Sequence, residues 1–281
     1  MSGGSKRNRR LLFALAAGIL VAAAVTYFAM REGSGAAGAR DGATELVVSA
    51  AASLKEGLEA VKARFEDDHP HIRLTFNYGS SGALQKQIEQ GAPVDLYVSA
   101  SLRQIEALRE QSLIKESVTL LANELVVVVP KEDGVTQPMK KLSDITQDDY
   151  RVIAIGQPET VPAGHYAKEA LAAEGIWNDV ADRLVFAKDV RQALTYAETG
   201  NADAALVYAT DAATSQLSVV ALRVDGSLHS PIVYPAALLA ESEHPDEAAM
   251  FYRFLQSAEA QELFASFGFR PAARGAVTPD E

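Results

Sequence analysis

Hydrophobic positions along the chain switch between two spacings from Leu46 onward. Residues 46–48 (Leu-Val-Val) form a short apolar run, which predicts a buried strand. Leu54, Leu58, Val61 and Phe65 then recur at helical spacing, one face of a helix. Residues 72–76 alternate as a strand, Leu84 and Ile88 mark a short helix stopped at Gly91, residues 94–98 make a further strand and 102–111 a further helix. A β-branched run at 124–130 predicts a central strand. The second half repeats the alternation. Strands are predicted at 152–155, 184–186, 204–207 and 219–224, and helices at 162–173 and 190–198, the second closed by Gly200. An extended run at 231–235 precedes two terminal helices, 247–255 and 258–267.

Strands alternating with helices predict an α/β fold with mostly parallel sheets. The polar stretch 131–149, with Gly134 and Pro138, reads as a surface connection. The extended runs at 124–130 and 231–239 are natural crossovers between two lobes. They divide the chain into a first lobe (45–123 plus 232–273), a second lobe (124–231) and a tail (274–281), after an N-terminal segment (1–44) that stands apart. In that segment Lys6, Arg7, Arg9 and Arg10 precede an uncharged apolar run over 11–30, and Arg31 and a Gly/Ala-rich linker follow. A basic flank before an apolar run predicts a start held in the cytoplasm and an exported, periplasmic remainder. The run exceeds the roughly 7–15 residues of a leader core and reaches the roughly 20 that span a bilayer. A cleaved leader and an uncleaved inner-membrane anchor therefore both remain open.

In open α/β sheets, ligands sit at the carboxyl ends of strands, where the strand-to-helix turns gather. Four such turns stand at a helix start and present backbone N–H groups: 51–53 (Ala-Ala-Ser), 79–82 (Gly-Ser-Ser-Gly), 161–164 (Val-Pro-Ala-Gly) and 188–190 (Lys-Asp-Val). The first N–H groups of a helix are unpaired and carry a partial positive charge, so each turn attracts an anion. One such turn is ordinary. Four, shared between two halves, predict a cleft that holds a small oxyanion without Lys or Arg. Each turn also has a plain structural reading. Ser53, with Glu56 three residues on, makes a Ser-x-x-Glu capping box. Ser80 and Ser81 between glycines read equally as a simple turn, although glycine lets backbone approach a ligand closely. Pro162 suits the first helical position, after which Ala163 and Gly164 present N–H groups with no side chain in the way. Asp189 is expected to cap the helix starting at Val190 with its carboxylate turned away, leaving the Val190 N–H free. Tyr208 ends a buried strand, as packing or as a hydroxyl donor.

Composition narrows the chemistry. The formal net charge of -11 argues against nucleic acid and anionic membrane surfaces, which reward a basic face. A small anion stays open, since local dipoles in a cleft outweigh distant, screened charges. The chain has no Cys, which removes disulfides, thiolate metal sites and lipid attachment through an N-terminal Cys. Of the histidines only His69 and His71 lie close together, and no ligand spacing suggests a protein-bound metal or cofactor. Neither a Gly-x-Ser-x-Gly elbow nor a phosphate-binding Gly-Lys-Ser/Thr loop is present. An exported serine hydrolase built on Ser53 or Ser81 would need a base such as His165 within reach, so no enzyme is expected.

Several stretches, in order, resemble the periplasmic molybdate-binding protein of bacterial ABC transporters. They are Ala-Ala-Ala-Ser-Leu at 50–54, Gly-Ala-Pro-Val-Asp-Leu-Tyr-Val-Ser-Ala at 91–100, Pro-Glu-Thr-Val-Pro-Ala-Gly-His-Tyr-Ala-Lys at 158–168, Asp-Val-Arg at 189–191 and Leu-Val-Tyr at 206–208. The resemblance spans residues 45–272. It implies a two-lobed periplasmic-binding-protein fold of the second class, hinged on two crossover segments. It also implies a monomer that binds a tetrahedral oxyanion, molybdate or tungstate, with sulfate the alternative, and delivers it to a membrane permease. Molybdenum would enter only as the oxyanion, with no direct protein ligand. Carried over by motif, the contacts are Ser53 and Ser81 through hydroxyl and N–H, Ala163 and Val190 through N–H, and Tyr208 through its hydroxyl. The chain departs at Gly82, where family members often carry Ser or Thr, and in its long N-terminal segment.

Overall fold

In the computed structural model, which describes residues 42–131 and 139–272, the apolar runs build two β-sheets flanked by helices. The chain begins with β1 (Thr44–Ala51), α1 (Lys55–Asp68), β2 (Ile72–Gly79), α2 (Ser81–Glu89), β3 (Leu96–Val98), α3 (Leu102–Glu110) and β4 (Ile114–Ala122). It crosses at Asn123 and Glu124 into β5 (Leu125–Pro130), β6 (Ile153–Gly156), α4 (Pro162–Ala173), α5 (Trp177–Val180) and β7 (Leu184–Ala187). It continues through α6 (Val190–Glu198), β8 (Ala204–Tyr208), α7 (Ala209–Thr214) and β9 (Ser218–Arg223). It then returns to the first sheet as β10 (Val233–Leu239), α8 (Pro245–Leu255), α9 (Ala258–Ser266) and the short β11 (Arg270–Pro271). Strand order is β11-β4-β10-β3-β1-β2 in the first sheet and β7-β6-β8-β5-β9 in the second.

The sheets are mixed rather than mostly parallel. β1 pairs in parallel with β2 and β3, and β6 with β7 and β8. β10 runs antiparallel to β3 and β4, and β5 antiparallel to β8 and β9. The reason is the crossing itself. A strand that enters from the other lobe needs no crossover helix, so nothing obliges it to run with the βα strands. The runs at 124–130 and 231–239 are thus not the crossings: β5 lies wholly in the second sheet and β10 wholly in the first. The chain passes between lobes at 123–124 and again over 224–232. β4 has no counterpart in the periodicity. Its first half carries exposed Lys115 and Glu116, and only Leu120 and Leu121 are deeply buried, so its pattern is too polar to read.

Burial follows position. β5 (Leu125 to Val129) and β10 are buried along their lengths, as strands covered on both faces should be. Pro235 sits in β10 with partners on both sides, a place proline tolerates only at an irregularity. The register with β4 does shift between Tyr234 and Pro235, and the Pro235 carbonyl accepts the Ser99 N–H at 2.9 Å. The end of β6 and the start of α4 touch backbone to backbone. A Cβ at Gly164 would lie 1.9 Å from the Gly156 oxygen, so only glycine allows this helix start to reach that strand end. Gly200, at φ +69°, turns the chain out of α6 as expected.

Among the described residues, no helix is long and apolar enough to cross a membrane. The export segment with its run at 11–30, the loop glycine and proline at 134 and 138, and the tail at 274–281 lie outside the described residues.

Candidate functional site

Each candidate residue stands at or just beyond the carboxyl end of a parallel strand. Ser53 follows β1, Ser81 follows β2, Ala163 follows β6, Val190 follows β7 and Tyr208 closes β8. All five line one cavity of about 10 Å³ between the two sheets' strand ends. That space is about what a single water molecule needs. None of the five is more than 4 % exposed. No Lys or Arg lines the cavity among the described residues.

Accounting for the donors shows what the turns leave over. In α2, Ser80 caps the helix by accepting the Ala83 N–H at 3.4 Å, and the Gly82 N–H goes to the Thr160 carbonyl at 2.9 Å. The Ser81 N–H remains. In α4, Pro162 has no N–H and the first helical bond runs from His165 to Val161 at 3.0 Å. The N–H groups of Ala163 and Gly164 therefore precede the ladder. In α6, the Asp189 carboxylate accepts the Gln192 N–H at 2.8 Å and so caps the helix as expected. The Val190 N–H stays outside the ladder. The Tyr208 hydroxyl is buried and has no hydrogen-bond partner among the described residues. Burial holds its pKa well above the ordinary phenol value, so it is a neutral donor.

Two expectations need correction. Ser53 is not a capping serine. It lies in a single tight turn (Ala52–Leu54) ahead of α1, and its hydroxyl meets the Tyr234 hydroxyl at 3.1 Å. Glu56, its supposed box partner, pairs instead with Arg191 of the other lobe. Gly82 does not open space for a ligand; it does not line the cavity. A Cβ on Gly82 would sit 2.6 Å from the Thr160 oxygen, so this glycine permits a backbone contact between lobes.

The lobes are drawn together around the cavity. Besides Gly82 and Thr160, the Arg103 guanidinium (α3) donates to the Glu159 carbonyl at 3.2 Å, and the Tyr166 hydroxyl (α4) to the Ala100 carbonyl at 3.4 Å. Arg191, one residue beyond the cavity wall, bonds Thr214 Oγ1 at 2.7 Å, pairs with Glu56, and lies 2.7 Å from Asp211 Oδ1. Its Nε–H is not aimed at that oxygen, so the contact with Asp211 is one of charge rather than a hydrogen bond. Its charge is thus engaged by two carboxylates. Burial pushes the Asp211 carboxyl up to about 7, against the opposing pull of Arg191. His165 is held by Glu169 at 3.2 Å and by Arg103 at 3.4 Å. Burial, with Arg103, lowers its pKa. Neither Ser53 nor Ser81 hydrogen-bonds a histidine; Ser81 Oγ accepts the Ala100 N–H at 3.0 Å. Sequence reasoning missed Asn123, Tyr234 and Arg191, none of which stands in a glycine- or serine-bearing turn.

Two lobes that close helix starts and hydroxyls over a small cavity define a binding protein for a compact solute. The chain belongs to the family of bacterial extracellular solute-binding proteins, whose pattern it matches over residues 46–270. It is 45 % identical over 226 residues to the candidate ABC transporter substrate-binding lipoprotein YvgL of Bacillus subtilis, covering 80 % of this chain and 85 % of that one. It is 34 % identical over 230 residues to the molybdate-binding protein ModA of Haemophilus influenzae, covering 80 % and 89 %. Among solved structures, it superposes on the substrate-binding domain of a candidate molybdenum ABC transporter from Clostridium difficile. There the TM-score is 0.64 with 38 % identity, over 82 % of this chain and all of that one.

Gly82→Ala should push the lobes apart at their closest backbone contact. Small-angle scattering should show a larger radius of gyration, and an unchanged radius would mean that the methyl group is accommodated. Asp211 keeps its proton in the folded state to about pH 7, whereas an unfolded Asp loses it near 4. Its stabilising contribution is full below about pH 4 and is lost as pH rises through about 7. The melting temperature of the wild type, relative to Asp211→Asn, should fall across that window; a pH-independent difference would refute the shift.

Proposed function

We propose that the chain is the solute-binding component of an ABC importer and captures molybdate, or the nearly identical tungstate, between its lobes. The observation that carries this reading is the convergence of unspent donors from both lobes on one cavity that no Lys or Arg lines among the described residues. The similarity to ModA and to the Clostridium difficile domain supports molybdenum as the cargo. In this reading Ser53 and Ser81 bind through hydroxyl and N–H, Ala163 and Val190 through N–H, and Tyr208 through its hydroxyl.

The first lobe (45–123 plus 232–273) supplies the two serines and the second (124–231) supplies Ala163, Val190 and Tyr208. Only the closed form satisfies both sets, so the guest stabilises closure by differential contact. A hydrogen bond to a charged group contributes about 1.5–3 kcal/mol, and roughly seven such bonds offset the dianion's desolvation with affinity left over. Donors without acceptors reject hydrogen phosphate, whose own O–H would meet another donor. Sulfate is fully ionised, so only cavity size discriminates against it. The loaded, closed monomer then docks on the membrane permease. Residues 1–44 act as leader or inner-membrane anchor for the periplasmic part. The serine hydroxyls are engaged with Tyr234 and the Ala100 N–H rather than with a base, which favours binding over turnover.

Molybdate should raise the melting temperature, since it binds only the folded protein. A shift with sulfate and none with molybdate would overturn the cargo assignment. Ser81→Ala should weaken molybdate binding about tenfold or more by calorimetry, with the fold retained. Unchanged affinity would remove Ser81 from the site.

A further inference from the structure

We infer that Asn123 and Tyr234 are positioning residues that hold the Ser53 hydroxyl as a donor, through a directed hydrogen-bond chain starting at the crossing between the lobes. The inference rests on the oxyanion reading above and adds to it the groups that orient one of its donors.

Asn123 sits where β4 passes into β5 and is 8 % exposed. Its amide orientation is set by its neighbours. Oδ1 accepts the Glu124 N–H at 2.8 Å, so the Nδ2 end must face the other way. There it has two hydrogens and two oxygens to meet: Thr210 Oγ1 of α7 at 2.8 Å and Tyr234 Oη of β10 at 3.1 Å. One amide at the crossing thus bonds to an element of each lobe.

The polarity of the chain follows. Tyr234 Oη accepts from Asn123 and keeps one proton of its own. The phenol is fully buried, and Ser53 Oγ at 3.1 Å is the acceptor within its reach among the described residues. Were Ser53 to donate to Tyr234 instead, the phenol proton would be left buried and unpaired, the costlier arrangement. Tyr234 therefore donates to Ser53, and the Ser53 proton is free to point into the cavity that Ser53 lines. Ser81 is set up in the same way, because its oxygen accepts the Ala100 N–H from behind. A hydroxyl is both donor and acceptor by nature. Here each serine oxygen already accepts one bond from the protein, which leaves its proton for the guest. The ring of Tyr234 is held independently by edge contacts with Tyr208 and Phe269, at centroid distances of 5.8 and 5.4 Å, so removing the hydroxyl leaves the packing.

The test is a double-mutant cycle read by molybdate calorimetry, with thermal melting to verify the fold. Tyr234→Phe should weaken binding about fivefold or more in the wild-type background and leave affinity unchanged in the Ser53→Ala background. A purely structural role would move both backgrounds alike, and equal losses, or no loss in either, would overturn the inference. Asn123→Asp provides a second variant of the same shape. Its carboxylate accepts from Tyr234 and reverses the chain, so it should cost more affinity than Tyr234→Phe; affinity equal to wild type would also overturn it. A wild type that binds no molybdate would overturn the oxyanion reading itself and this inference with it. A wild type that binds, with additive variants, would overturn the inference alone.

Discussion

A buried hydrogen-bond donor with no acceptor costs a folded protein stability, and this cleft gathers several of them in one place. The Tyr208 hydroxyl is unpartnered, and the leading N–H groups of α2, α4 and α6 stand ahead of their helical ladders. Much of the surrounding architecture serves to keep those groups unspent. Ser80 and Asp189 take up the neighbouring N–H groups and leave the first ones alone. Pro162 starts its helix without an N–H of its own. The two glycines at 156 and 164 bring α4 hard against the end of β6, which sets where its donors lie. The fold thus holds a site whose proposed occupant completes the protein's own hydrogen bonding.

Closure depends on backbone as much as on side chains. Thr160 and Gly82 meet across the lobes through a carbonyl and an N–H, and Arg103 reaches the neighbouring Glu159 carbonyl. Such contacts report distance closely, because a peptide group cannot re-aim itself as a long side chain can. The Glu56–Arg191 pair adds a charged tie at the cavity's edge, and its cation is held there by Asp211 and Thr214 of its own lobe. Arg191 consequently acts as a brace between α1 and α6 and α7, with its charge engaged by Glu56 and Asp211.

The helix starts were legible in the sequence because each is announced locally, by proline, small residues or a capping acid followed by helical spacing. The predicted α4 and α6 match the observed bounds for that reason. What could not be read was anything that depends on residues far apart in the chain. Ser53 and Glu56 have the spacing of a capping box, yet both are recruited by distant partners, Tyr234 and Arg191. Gly82 looked like room for a ligand and is room for another peptide. The strand directions were misjudged because periodicity tells that a strand exists and not which way it enters its sheet. β4 was missed since only Leu120 and Leu121 of its nine residues are deeply buried and Lys115 and Glu116 face water.

The lining of the cavity by peptide dipoles and hydroxyls, with no Lys or Arg among the described residues, has a kinetic corollary. Dipoles pull over only a few ångströms, whereas the acidic surface of a chain with formal charge -11 is felt out to the Debye length, about 10 Å in 0.1 M salt. A dianion, the guest proposed above, would therefore be repelled first and attracted only once inside. Added electrolyte should shorten the encounter time rather than lengthen it, the reverse of the behaviour of a receptor that steers anions with lysines.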